Sequence, residues 1–381
     1  MTTARPLRVL HLIPALHSGG VERWVVDLGT LAPAHGLSLE IAVTTEIDGL
    51  CAARARVRGI PVHVCPGPGR PLAFMAAFHR LLRQQGPFDA VHVHLHAFSG
   101  FAAVAARLAG VRRVVVHSHN VMGNETAGWR RRLYGRLARL LIGRFATAGL
   151  APALAPLEDL LGPGCTADPR WRVLPYGVDL EPFRRPVPVG FGRATFGIPE
   201  GAFVMLTLSR LNPEKNPLFA VRVFEALLRL RPDARLLMLG EGPLCDAITA
   251  AAARAGLRDR VVLAGARPDV PDVLRSCADV LVFPSPPPPA GREANPLAVL
   301  EAQCCGVPVV ISDGVPDEAI LVPRLVARQR ADADPEAWAR AALDQAAARL
   351  PGGAAEALAI VAGTTFDGER TLPILADLYH S

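Results

Sequence analysis

Short runs dense in Val, Ile and Leu recur along the chain, separated by longer Ala-, Leu- and Arg-rich stretches of helical length. In the first half the runs are RVLHLI, LEIAV, PVHV, AVHVH and RVVVH. After a Pro-rich passage, LPYGVDLEPFRRPVPVGFG, the rhythm restarts with VMLTLS, RLLMLG, RVVLAG, VLVFP and PVVIS. Strand-length runs alternating with helix-length stretches are the pattern of a parallel sheet covered on both faces by helices. The restart predicts an α/β fold of two facing Rossmann-like domains, hinged near residues 180–200. Residues 1–180 form the first domain and residues 181–365 the second in this reading. Residues 366–381, with Leu372, Leu375, Leu378 and Tyr379 at helical spacing, are expected to pack back on the first as a terminal helix. Ligands of such sheets bind beyond the carboxyl ends of the strands, which directs attention to the loops there and to the cleft that two facing sheets would make.

Length and composition agree with two domains. The chain has 381 residues, more than one compact core usually organises. Half of its residues are apolar and a fifth charged, which excludes a disordered or fibrous class. The longest uncharged apolar-leaning stretch, Phe145 to Leu157, is 13 residues with two prolines. That is short of the roughly 20 a spanning helix needs, so no transmembrane helix is expected. The first apolar run, broken by His11 and Pro14, reads as a β-strand and not a leader, and the expected location is cytoplasmic. Seven cysteines without a CxxC pair predict reduced, mostly buried thiols and no cysteine zinc site.

Charge is unevenly placed. Residues 1–180 carry 20 Arg against 11 acids, a net +9, whereas residues 181–381 are net −3. An anionic partner should therefore meet the first half. Residues 129–144, WRRRLYGRLARLLIGR, hold six of those arginines and no acid, with Leu133, Leu137, Leu140 and Leu141 at helical spacing. Such a basic amphipathic helix can rest on an anionic membrane, or its leucines can face the domain core. Aromatics interleave too sparsely with the arginines for a nucleic-acid surface. Among the chain's 41 cationic residues, Lys215 is the only lysine.

Three motifs carry the candidate chemistry. The first runs from Val280 to Asp313 as strand, loop, helix and strand, with Glu293 and Glu301 eight residues apart and Pro296 at the start of the helix between them. The second is SRLNPEKNP, which places Arg210 and Lys215 after the strand VMLTLS. The third is HSGGVERWVVDL, where Gly19 and Gly20 precede a helix whose free amides can face an anion. Together they resemble the family 4 retaining glycosyltransferases of GT-B architecture, nearest in pattern to the bacterial exopolysaccharide-synthesis branch. The resemblance implies transfer of a sugar from a nucleotide diphosphate sugar to a glycan or lipid-linked acceptor, with no metal or other cofactor. It implies that Glu293 lies against the transferred sugar and that Glu301 accepts bonds from the ribose hydroxyls. It assigns Arg210 and Lys215 to the diphosphate, Arg267 and Val270 to the surroundings of the base, and Asn295 to the donor. His119 of RVVVHSHN becomes the acceptor-side histidine, with His117 as a second candidate. Retention without an enzymic nucleophile implies front-face attack, in which the leaving phosphate takes the acceptor's proton.

Two departures from that pattern stand out. Tyr176 replaces the usual Asn in LPYGVDLEPF, and seven residues separate Ser285 from Glu293, with Ala294 where a glycine is usual. His92, His94 and His96 alternate along one strand and are metal ligands in outline only, since strand-end histidines are common. Two other readings stay open from sequence: a nucleotide-sugar epimerase of similar fold, and a non-catalytic membrane-associated binding protein.

Overall fold

A computed structural model describes residues 5–380 except 18, 46, 48, 66, 68, 122–127, 289 and 292, and except the side chains of residues 130 and 131. Pro289 of the proline run and the side chains of Arg130 and Arg131 thus lie outside the described residues. The chain divides into two units, Met1–Asp179 with Thr365–Ser381, and Leu180–Thr364.

The first unit is built on seven strands: β1 Leu7–Ile13, β2 Leu37–Val43, β3 Val62–Val64, β4 Ala90–Val93, β5 Arg113–His117, β6 Ala148–Ala151 and β7 Trp171–Val173. They lie in the order β3-β2-β1-β4-β5-β6-β7, all pairs parallel. Alternation along each strand gives this sheet two different faces. On one, Leu10, Leu12, Val91, Val93 and Val114 pack with Phe74, Phe78, Ala102 and Ala106 into an aliphatic and aromatic core. The other carries His11 opposite His92, His92 opposite Val115, and His117 two residues further along β5.

The terminal helix Gly368–His380 covers this second face together with the helix Gly20–Leu31. Its Leu372, Leu375 and Tyr379 are buried, and each leucine contributes about 1.5–3 kcal/mol by leaving water. The Val178 amide donates to the Phe366 carbonyl and the Gly368 amide to the Val178 carbonyl, both at 2.9 Å, which ties the returning chain to its departure point.

The second unit has six parallel strands in the order β10-β9-β8-β11-β12-β13. These are β8 Val204–Leu208, β9 Arg235–Leu239, β10 Val261–Leu263, β11 Val280–Phe283, β12 Val309–Ser312 and β13 Val326–Gln329. Met205, Leu236, Met238, Val280, Val282 and Val310 form its core with Phe224, Leu227 and Trp338. Both units are therefore Rossmann-like. Strands β6, β7 and β13 go unannounced by the hydrophobic pattern because AGLA, WRV and VARQ are short and poor in β-branched residues. Five of the seven cysteines are buried. Among the described residues no helix is long and apolar enough to cross a membrane.

Candidate functional site

In the second unit the chemistry-bearing residues gather at the carboxyl ends of the strands. Arg210 follows β8, Glu241 follows β9, Arg267 follows β10, Ser285 and Glu293 follow β11, and Gly314 follows β12. Backbone bonds hold these loops together: the Leu211 amide donates to Glu241 O at 2.8 Å and the Gly240 amide to Gly265 O at 2.8 Å. Gly240 has φ 129°, and a Cβ there would fall 1.9 Å from Ser209 O, so only glycine fits.

Lys215 ends a tight turn, Pro213–Lys215, and Asn216, at φ 51°, starts the helix Pro217–Leu230. A left-handed residue followed by Pro at the first helical position fixes where that turn ends. The Lys215 ammonium donates to Glu293 Oε1, and Ser285 Oγ donates to the same oxygen at 2.7 Å. Only 5% of the Glu293 side chain is exposed, against 17% for Lys215. Although seven residues separate them, Glu293 and Ser285 are thus side by side. Close backbone packing makes this possible: a Cβ on Gly291 would fall 1.8 Å from Pro286 O, and one on Gly314 2.5 Å from Pro286 C.

Glu293 lies in the loop, Pro296 caps the helix Leu297–Cys304, and Glu301 sits inside it at 4% exposure, so neither acid belongs to a solvated face. Asn295 is buried, and neither its Oδ1 nor its Nδ2 has a hydrogen-bond partner. Arg210 is exposed. Arg267 forks onto Asp269 at 2.8 and 2.6 Å and lies over the Phe196 ring, and the Asp269 bonds raise its pKa. Val270 is buried at the start of the helix Val270–Cys277.

In the first unit His119 follows β5 and is 8% exposed, with Nδ1 2.6 Å from the Tyr176 hydroxyl and Nε2 2.7 Å from His94 Nδ1. Tyr176, a departure from the family pattern, thus holds the acceptor-side candidate. His117 is fully buried and meets His92 at 3.2 Å. Burial pushes the pKa of His119 and of His11 down to about 3, and those of His92, His94 and His117 well below the usual imidazole value. These rings are neutral at pH 7.

The metal outline His92, His94 and His96 does not assemble, because His96 takes φ 50° and turns to Asp159 at 3.0 Å. His92 and His94 instead join His11, and His94 joins His117 and His119, with ring nitrogens of each trio within 4.8 Å. Neutral imidazoles that close suit a transition metal. Both nitrogens of His94, however, are already engaged, by His11 and His119.

Gly19 caps the helix Gly20–Leu31 with no side-chain hydrogen bond, and Glu22 folds back so that a Cβ on Gly19 would lie 2.1 Å from its Oε2. A phosphate seated on these amides would displace that carboxylate. Sequence reasoning missed Ser285, His11 and Tyr379 as parts of these clusters. Ser285 follows a strand and precedes the insertion, which was a usable signal. The others depend on register and on the returning helix.

Comparison with known proteins fits this geometry. Residues 18–182 match the family described as Glycosyltransferase Family 4, and residues 191–328 match Glycosyl transferases group 1. The EpsF protein of Bacillus subtilis (strain 168), provisionally named a glycosyltransferase, is 30% identical over 352 residues, covering 90% of this chain and 89% of that protein. An Escherichia coli UDP-Gal:alpha-D-GlcNAc-diphosphoundecaprenol alpha-1,3-galactosyltransferase is 28% identical over 243 residues, covering 63% of this chain and 61% of that enzyme. The crystal structure of Anabaena HepE in complex with UDP shares the fold at a TM-score of 0.77 and 21% identity, over 97% of this chain and 99% of that one. On these matches the chain is a glycosyltransferase of the GT-B fold class and belongs to glycosyltransferase family 4.

Proposed function

We propose that this glycosyltransferase moves a sugar from a nucleotide diphosphate sugar to a glycan or lipid-linked acceptor with retention of configuration, in bacterial surface or exopolysaccharide synthesis. The supporting observation is the cluster at the carboxyl ends of β8 and β11. Glu293 is held by Lys215 and Ser285 through one oxygen, leaving Oε2 for a sugar hydroxyl, and the partnerless Asn295 amide offers a donor and an acceptor beside it. A buried polar group without a partner costs about 1–3 kcal/mol, which a polyhydroxy ligand recovers. Arg210 and Lys215 stabilise the charge that develops on the departing diphosphate, so the reaction needs no resident metal. Glu301 takes the ribose diol, Arg267 and Val270 lie at the base, and Gly19 and Gly20 offer a further anion seat once Glu22 moves aside. His119 orients the acceptor. The leaving phosphate accepts the acceptor's proton in a front-face attack, and Glu293 serves positioning and electrostatics. HepE crystallised with UDP-glucose and the undecaprenol-linked acceptor in the Escherichia coli enzyme's name support this class of donor and acceptor.

The same reading places the protein in the cytoplasm, peripheral on the inner face of the plasma membrane. In the helix Trp129–Phe145, Trp129, Leu133, Leu137 and Leu140 are exposed, at 70, 59, 45 and 68%, while Ala138 and Ile142 are buried. The apolar stripe therefore faces outward among arginines, as a helix lying in a lipid interface requires.

Thermal shift against a panel of nucleotide diphosphate sugars tests the donor, since a bound donor stabilises the fold in proportion to RT ln(1 + [L]/Kd). One nucleotide class should raise Tm, and NMR of the transferred product should show the donor's anomeric configuration. No shift with any donor, or an inverted product, would overturn the proposal.

A further inference from the structure

The histidine face holds a continuous chain of side chains. Tyr176 OH meets His119 Nδ1 at 2.6 Å, His119 Nε2 meets His94 Nδ1 at 2.7 Å, and His94 Nε2 meets His11 Nδ1 at 3.1 Å. His11 Nε2 then lies 3.4 Å from Tyr379 OH, which is 2.7 Å from His92 Nδ1, and His92 Nε2 meets His117 Nδ1 at 3.2 Å. The three imidazole pairs have ring centroids 4.9, 5.3 and 5.3 Å apart and planes tilted by 20, 17 and 15°. Each centroid distance exceeds the matching nitrogen distance by about one ring width, so within each of these three pairs the rings bond edge to edge, while His92 stacks on His94 and His117 on His119 at 4.5 and 4.3 Å.

Every ring is also inserted in the same sense. Its Nδ1 points toward the Tyr176 end of the chain of contacts and its Nε2 toward the His117 end, and the sense is kept across Tyr379, where Nε2 of His11 and Nδ1 of His92 meet one phenol. A neutral imidazole has one donor and one acceptor, and a phenol oxygen can accept twice, so three arrangements satisfy all six contacts: every ring protonated on Nε2, every ring protonated on Nδ1, or Nε2–H in His119, His94 and His11 with Nδ1–H in His92 and His117. The mixed arrangement leaves the O–H of the buried Tyr379 no acceptor among these rings, and the far end decides between the other two. His117 Nε2 and Trp24 Nε1 are both buried without a hydrogen-bond partner, and the two rings meet edge-on with centroids 5.0 Å apart. Protonation on Nε2 would leave two buried N–H groups, of His117 and Trp24, without an acceptor, whereas a bare Nε2 leaves only the indole N–H so.

We propose that these five histidines and two tyrosines form one hydrogen-bonded relay locked in the Nδ1–H state, and that Tyr379, on the terminal helix, is a positioning residue that fixes the tautomer of His119. His119 Nδ1–H then donates to the Tyr176 oxygen, and the Tyr176 O–H keeps its proton and points away from His119. The burial that keeps the rings neutral supports this, since a single imidazolium would break the common sense of the bonds. The catalytic part of the proposal rests on the acceptor-side role given to His119; the relay itself does not.

The test uses the full chain labelled with 15N-histidine at pH 7, where protonated and bare ring nitrogens resonate far apart. Five rings protonated on Nδ1 are expected. Tyr379→Phe should leave the fold intact by circular dichroism, cut the relay, and put His119 into exchange between tautomers, with kcat falling about tenfold or more at unchanged donor KM. Tyr176→Phe, which cuts the other end, should disturb His119 in the same way and serves if the first variant fails to fold. Mixed tautomers or an imidazolium in the wild type would overturn the relay. So would stoichiometric zinc in the purified protein whose removal changes the five signals. The spectrum needs no sugar donor, so the expected tautomers with unchanged kcat in Tyr379→Phe would overturn only the positioning of His119 for transfer.

Discussion

All eleven histidines of the chain lie in the unit built from Met1–Asp179 and Thr365–Ser381, and the only lysine lies in the other unit. The first unit buries neutral rings that bond to one another on a sheet face. The second sets fixed charges in loops: Lys215 on Glu293, Arg267 on Asp269. A departing diphosphate calls for positive charge that is already in place, whereas an incoming hydroxyl calls for neutral groups of defined donor direction. Under the proposed function, two sheets of one fold class divide two electrostatic tasks.

The largest effect that would break this comparison is acid. Burial holds His11 and His119 at about 3 in the folded chain, below the 6.5 of the exposed ring. Between those values the unfolded chain binds protons that the native rings refuse, so stability is whole above pH 6.5 and declines as pH falls toward 3. Each of the two rings should cost about 2 kcal/mol on going from pH 7 to pH 5. Hydrogen exchange should show β1, β4 and β5 losing protection while β8 and β11, in a unit without histidine, keep theirs. Equal loss in both units would remove the distinction.

Next in size is Glu293→Gln, which leaves Lys215 without its ion pair and should lower turnover about 100-fold. Wild-type turnover with the identified donor would remove Glu293 from the site. Lys215→Arg keeps the charge but replaces a compact ammonium by a planar fork in a seat shaped around one carboxylate oxygen. A loss of about tenfold in kcat/KM is expected, with steady-state kinetics as the measure. An equally active arginine variant would show that charge alone matters there.

The smallest effect concerns the outward face of the helix Trp129–Phe145. Arg132→Ala should weaken binding to anionic liposomes by about 1 kcal/mol, roughly fivefold at low salt, and the difference should vanish as salt rises. Binding that ignores both lipid charge and salt would leave the stripe of Leu133, Leu137 and Leu140 without a membrane role.

Much of this was legible in the order of residues. Ten of the thirteen described strands follow from short aliphatic runs, and Lys215, Glu293 and His119 follow from motifs at strand ends. The joining of Lys215 to Glu293 was not legible, since 78 residues separate them and the insertion hid the return to Ser285. Nor was the histidine relay. The alternation of His92, His94 and His96 pointed along one strand, whereas the actual partners lie across strands, where register decides who meets whom. Tyr176 read as a departure because its hydroxyl matters only once His119 is placed beside it.

The terminal helix has a consequence for the order in which the protein can be made. The first unit closes only when the segment beyond Thr364 arrives, after the whole second unit has been synthesised. Until then the nascent chain carries β1, β4 and β5 with their histidines uncovered on one side, while the later unit can fold without waiting. Synthesis interrupted before Tyr379 would therefore yield a well-folded second unit attached to an unfinished first one, a species for chaperones and proteases to recognise by its exposed imidazole face.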